Sequence, residues 1–101
     1  MLMELTVLPL GRTVSVSSDI ADLIGFIDQS GMPYQATAFG TLVEGTLSQL
    51  MNIVKRSHEL IRAKAPRAVI LIRLDDYADR TDLLTTSVAH VEQHLGHGLR
   101  Q

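Results

Sequence analysis

Hydrophobic spacing along this chain switches repeatedly between the two-residue period of a strand and the roughly 3.6-residue period of a helix. The order of those switches restricts the fold more than any single motif does. Residues 1–10 alternate, with Met3, Leu5 and Val7 on one face and Glu4 and Thr6 on the other, and they end at the breaker cluster Pro9-Leu10-Gly11. Ser15-Val16-Ser17-Ser18-Asp19 offers side-chain oxygens to the free N–H groups of a starting helix, in which Ile20, Leu23, Ile24 and Ile27 recur at helical spacing. Gly31 is placed to supply the left-handed turn after Ser30. Residues 34–39 read as a second strand, Gly40 breaks it, and residues 41–45 read as a short third strand returning beside it.

Thr46-Leu47-Ser48-Gln49 has the capping-box form, hydroxyl first and amide three residues on, in which two backbone donors are satisfied reciprocally. Leu47, Leu50, Met51, Val54, His58 and Ile61 follow on one predicted stripe, giving a helix to about residue 65 that Pro66 stops. Residues 68–75 (Ala-Val-Ile-Leu-Ile-Arg-Leu-Asp) form the strongest strand pattern in the chain. A last helix is predicted from 81 or 82 to 95, with Leu84, Val88, Val91 and Leu95 on its apolar side and Gly96 at its end.

The predicted order is β-α-β-β-α-β plus a C-terminal helix: an α+β, ferredoxin-like antiparallel sheet in one domain spanning residues 1–101. Two helices cover one face of such a sheet. The other face carries Leu2, Glu4, Thr6, Leu8, Val69, Leu71 and Arg73, which is too apolar to be left wet. Packing of two copies sheet on sheet, as a homodimer or homotetramer, is the simpler expected remedy, and partial cover by the last helix is the alternative. Glu4 and Arg73 are expected to meet as an ion pair on neighbouring central strands.

Composition narrows the function. A net charge of −2, from 9 Lys+Arg and 11 Asp+Glu, disfavours a nucleic-acid partner bound through phosphate neutralisation. The absence of cysteine excludes disulfides, thiolate catalysis and Cys-based zinc sites. Apolar runs fall far short of the ~20 residues of a membrane helix, and no signal-peptide pattern opens the chain, so the expectation is a cytoplasmic protein with no membrane partner.

Three motifs carry a resemblance to a known family. Glu4-Leu5-Thr6-Val7-Leu8-Pro9-Leu10-Gly11 with Ser15-Val16-Ser17, then 34–45 (Tyr-Gln-Ala-Thr-Ala-Phe-Gly-Thr-Leu-Val-Glu-Gly), then Arg73-Leu74-Asp75-Asp76 are together similar to the small thiamine-binding, YkoF-like (MTH1187-like) proteins. The resemblance covers nearly the whole chain in order. Phe39 stands where Met is usual, and Tyr77-Ala78 where a basic residue is expected after the paired aspartates. The resemblance implies a ferredoxin-like protomer, oligomers built through the sheets, and a small-molecule ligand, thiamine or its hydroxymethylpyrimidine half, held as ligand rather than as cofactor.

The residues suit such a ligand. A carboxylate accepts from an aminopyrimidine's exocyclic amine, and hydroxyls serve either way around the ring. Glu44 is the expected partner of the amine, with Thr37 and Thr41 converging on the ring and Tyr34 or Phe39 stacking or making a cation–π contact. Ser15 and Ser17, at the mouth of the first helix, are candidates for a polar tip or anion, and are equally caps. The bland alternatives are a solvated edge charge for Glu44 and plain strand-forming residues for the threonines.

Other functions fit less well. An acylphosphatase needs an Arg-bearing phosphate cradle and a carboxamide for water, but the single Asn, Asn52, lies inside a predicted helix. RNA-binding sheets stack bases on central-strand aromatics, which the central strands lack here. His90, His94 and His97 have loosely zinc-like spacing but flank an apolar stripe, and Gly96 interrupts them, so no metal is expected. Asp75 and Asp76, adjacent on a strand, point apart. With no nucleophile triad, nucleotide-binding glycine motif or acid pair, the chain reads as a non-enzyme that binds a small molecule. The alternative is an oligomeric regulatory or interaction module for another metabolite or a partner protein.

Overall fold

In the computed structural model, which describes residues 1–11, 17–79, 82–85 and 95–96, the first alternating segment forms β1, Leu2–Leu10. It is followed by α1 (Ser17–Ser30), β2 (Tyr34–Ala36), β3 (Thr41–Glu44), α2 (Leu47–Arg62) and β4 (Arg67–Asp75). The strands make one antiparallel four-stranded sheet in the order β2-β3-β1-β4. This is the predicted α+β topology. Of the predicted last helix, residues 83–85 and Leu95 are described as helical; its other positions, with His90, His94 and His97, lie outside the described residues.

Strand parity places the core. Met3, Leu5 and Val7 of β1 and Val43 of β3 turn to the helix side and pack with Leu23 and Ile27 of α1 and Leu50, Ile53 and Ile61 of α2. Leu2, Glu4, Thr6 and Leu8 take the opposite, open face, paired with Asp75, Arg73, Leu71 and Val69. Arg73 meets Glu4 there at 2.8 Å, as expected, although β4 is an edge strand and not a central one.

α2 begins with the anticipated capping box: Gln49 N–H donates to Thr46 Oγ1 at 3.2 Å and Thr46 N–H to Gln49 Oε1 at 2.9 Å. Its buried stripe differs from the predicted one. Leu50, Ile53, Ser57 and Ile61 face inward, whereas Leu47, Met51 and His58 are exposed. The helix is rotated by about one residue, because burying the aliphatic Ile53 removes apolar surface from water at no polar cost, whereas burying His58 would desolvate a polar imidazole. Ser57 is accommodated by donating its hydroxyl to Val54 O at 2.7 Å.

β2 is shorter than predicted, because Thr37 ends it. Its Oγ1 donates to Gly40 O at 2.9 Å and accepts from the N–H groups of Phe39 and Gly40, each at 3.2 Å. A threonine hydroxyl that satisfies three backbone groups two and three residues ahead makes a turn, not a strand.

α1 is tied to the end of α2 by an unpredicted contact. Lys64 Nζ lies 2.8 Å from the buried Asp19 Oδ1 and 3.4 Å from Asp22 Oδ2. The Asp19 hydrogen bond, foremost, raises the Lys64 pKa above its ordinary value.

Candidate functional site

Unequal strand lengths create the candidate site. β3 pairs only with Leu2–Leu5 of β1, so from Thr6 onward one side of β1 is left without a strand neighbour. The turn between β2 and β3 closes over this gap. Thr6 Oγ1 donates to Phe39 O at 2.7 Å, holding the turn against β1. Gly40 makes the close approach possible: a Cβ there would stand 2.6 Å from Leu5 O and 2.7 Å from Thr6 Oγ1.

Behind the turn lies a cavity of about 300 Å3, walled by Leu5, Val7, Leu8, Ile20, Leu23, Ile24, Ala36, Ala38 and Gly40, with Thr6, Thr37, Thr41 and Phe39 around it. The walls are apolar and the polar groups few, the usual makeup of a small-ligand site. Thr41 is buried among them, and the Phe39 ring is 84% exposed at the tip of the turn. An aromatic ring so exposed, on a backbone pinned by two threonines, is available to stack on a flat ligand.

The structure brings Thr37 and Thr41 to this cavity, but not Glu44. Thr41 pairs with Leu5 and shares its helix-side face, while Glu44 pairs with Leu2 and belongs to the opposite side. The expected convergence of two threonines and a carboxylate is therefore corrected: three residues apart on one strand is an odd spacing, and odd spacing changes face. Glu44 is buried, and its carboxylate accepts the N–H groups of Leu83 at 2.6 Å and Leu84 at 3.3 Å. It anchors the segment after β4. Leu83, buried beside it, lies outside the main core cluster.

The other expected site residues also fall elsewhere. Tyr34 packs against the core and its hydroxyl donates to Asp28 Oδ1 at 3.2 Å, a bond that raises the phenol's pKa. It lies away from the cavity. Ser17 is exposed at the start of α1, one turn before Ile20. Ser15 lies outside the described residues. Thr6 was not singled out by the sequence; its position past the end of β3, opposite a turn, is the signal that marks it.

Further recesses lie elsewhere among the described residues. One of about 420 Å3 lies at the far end of the sheet between Met1, Met32, Gly45 and Gln49. Another of about 330 Å3 lies on the open face around Leu2, Leu42 and the Glu4–Arg73 pair. Among the described residues no group of three His, Asp or Glu is placed to hold a metal ion, and no helix is long and apolar enough to cross a membrane.

Comparison with known proteins decides the family. The profile of thiamine-binding proteins matches residues 3–92. The chain belongs to the thiamine-binding protein family. Members of the UPF0045 group are close in sequence: one from Mycobacterium bovis is 36% identical over 95 residues, covering 93% of each chain. YqgV of Bacillus subtilis is 35% identical over 98 residues, covering 91% of this chain and 94% of the relative. In three dimensions the chain resembles a candidate thiamine biosynthesis or salvage protein of Thermotoga maritima, with a TM-score of 0.71 at 25% identity, over 85% of this chain and 94% of that one. A Methanocaldococcus jannaschii protein shares the fold with a TM-score of 0.74 at 22% identity, over 94% of each chain.

Proposed function

We propose that this family member binds thiamine, or its hydroxymethylpyrimidine half, in the cavity behind the β2–β3 turn, and that it does so without catalysis. The observation that carries the reading is the 300 Å3 apolar cavity with the buried Thr41 in its lining and the exposed Phe39 beside it. The aminopyrimidine enters between the aliphatic walls, with Thr41 as donor or acceptor to its edge. Phe39 closes over it and offers its π-face to the thiazolium cation. Thr37 and Thr6 position the turn and leave ligand contact to their neighbours. Membership of a thiamine-binding family and likeness to a candidate thiamine salvage protein support the choice of ligand. Binding with no chemistry fits a transport, storage or sensing role in the cytoplasm.

The protein also works as an oligomer in this reading: Leu8 and Leu71, 44% and 56% exposed, leave the open sheet face greasy.

Isothermal calorimetry with thiamine and with hydroxymethylpyrimidine tests the proposal. Wild type binds at least one of them. Phe39→Ala weakens thiamine about fivefold to thirtyfold, as loss of a cation–π contact of ~1–2 kcal/mol requires. Thr41→Val weakens both ligands. Absence of binding heat, together with an unchanged melting point at millimolar ligand, overturns it. A rise in melting point with some other metabolite instead favours a regulatory module; a ligand at 100 times its Kd adds ~2.7 kcal/mol to the folded state.

A further inference from the structure

The open face of the sheet changes character along its strands. Its exposed leucines, Leu8 and Leu71, lie toward the far end of β1, where Thr6 pairs with Leu71 and Leu8 with Val69. At ~3.3 Å per residue, Leu2 stands about 13 Å back from the Thr6–Leu71 pair, and there the face carries charge. Register sets Glu4 between Leu42 of β3 and Arg73 of β4, and Leu2 beside Asp75. Strand parity puts all five on the open face. Together with Leu74 they line the recess of about 330 Å3.

The charged groups in this recess are only partly engaged. Arg73 meets Glu4 side-on, with Nε and Nη2 both 2.8 Å from Oε1. A guanidinium presents five donors in a fixed fork. Its outer edge here, Nη1 and the second Nη2 hydrogen, contacts nothing among the described residues. Glu4 Oε2 is equally unengaged, and the Asp75 carboxylate has no ion pair among the described residues. Asp75 stands diagonal to Glu4 across the β1–β4 ladder, a separation of about 7–8 Å that one ammonium group can bridge. Because Arg73 is 81% exposed, a ligand reaches its outer edge without breaking a buried contact.

We propose that this recess is a second ligand site, for a small α-amino acid with an aliphatic side chain. The carboxylate of the amino acid takes the outer edge of Arg73 in a bidentate contact. Its ammonium sits between Glu4 Oε2 and Asp75, and its side chain lies against Leu2 and Leu42, with Leu74 beside them. An amine alone would leave the Arg73 fork idle, and a carboxylic acid alone would meet two acids and one base. The zwitterion engages all three. A recess of 330 Å3 lies at the small end of ligand sites, which suits a molecule of this size. The site is separate from the cavity behind the β2–β3 turn, whose described lining carries no charge, and it needs no second copy of the chain.

Titration of isotope-labelled protein with L-valine, L-leucine and L-isoleucine, followed by NMR, tests the proposal. At least one of them binds with a millimolar or lower Kd. It moves the amide signals of Leu2, Glu4, Leu42, Arg73 and Asp75 more than those of Ala38 and Gly40 at the turn. Leucinamide, which lacks the carboxylate, and isocaproate, which lacks the ammonium, each bind at least about tenfold more weakly than leucine, as loss of a charge-assisted contact requires. Arg73→Gln and Asp75→Asn, both at exposed positions, keep the wild-type melting point and weaken leucine by about tenfold each. Thiamine is titrated separately and read at the turn, so failure of either site leaves the other's result standing. No shift at the five residues up to about 20 mM of all three amino acids overturns the proposal. So do analogues that bind as tightly as leucine, folded variants that bind it as wild type does, or thiamine displacing leucine from these residues.

Discussion

The carboxylate of Glu44 and the amide of Leu83, 39 positions apart in the chain, meet at 2.6 Å in a buried contact. The last described helical segment is thus fastened to the end of β3 by an acidic side chain. Glu44→Ala removes the acceptor for two N–H groups, and leaving them unsatisfied costs about 1–3 kcal/mol for a buried donor. Chemical denaturation should show a loss of that size. Glu44→Gln keeps a carbonyl and should cost less. Since Glu44 lies away from the cavity, calorimetry of Glu44→Gln should return the wild-type thiamine affinity; a large loss there would return Glu44 to the ligand site.

Gly40 permits the turn's contact with β1. Gly40→Ala drives a methyl against Leu5 O, a backbone atom 2.6 Å from where Cβ would sit. The turn must move away, at about 1–3 kcal/mol for overpacking. We expect a lower denaturation midpoint together with weakened ligand binding, because the cavity's mouth moves with the turn.

Stability at high pH should depend on Lys64. Its pKa is raised above the ordinary 10.5, first by the hydrogen bond to Asp19. A raised folded-state value means that the protonated lysine favours folding. This contribution is complete below the unfolded value and fades as pH climbs through the folded one. Tyr34 acts in the same sense, its neutral phenol held by Asp28. Denaturation midpoints measured from pH 8 to 12 should therefore fall at the alkaline end. Lys64→Met and Tyr34→Phe should each flatten part of that fall, and the double variant more.

The Glu4–Arg73 pair, short as it is, should matter little. Arg73 is 81% exposed and Glu4 27%, and ion pairs of this kind contribute below about 1 kcal/mol. Glu4→Gln should lower stability by no more than that in dilute buffer, and by less still in molar salt, where screening is nearly complete.

Local pattern alone determined the elements, their order, the capping box at Thr46 and Gln49, and which faces of β1 and β4 go together. Each of these follows from neighbours within a few residues, through period, parity or a backbone hydrogen bond. Parity also separates Thr41 from Glu44; the expectation of their convergence set that rule aside. Tertiary structure decided the rest. The rotation of α2 that buries Ile53 and Ser57 instead of Met51 and His58 was settled by packing against a sheet whose shape no window of sequence contains. The strongest apolar strand became an edge because pairing partners are chosen by connection geometry, not by hydrophobicity. The partners of Glu44 and Asp19 lie 39 and 45 positions away, and only the closed fold brings such distant groups within reach of a hydrogen bond.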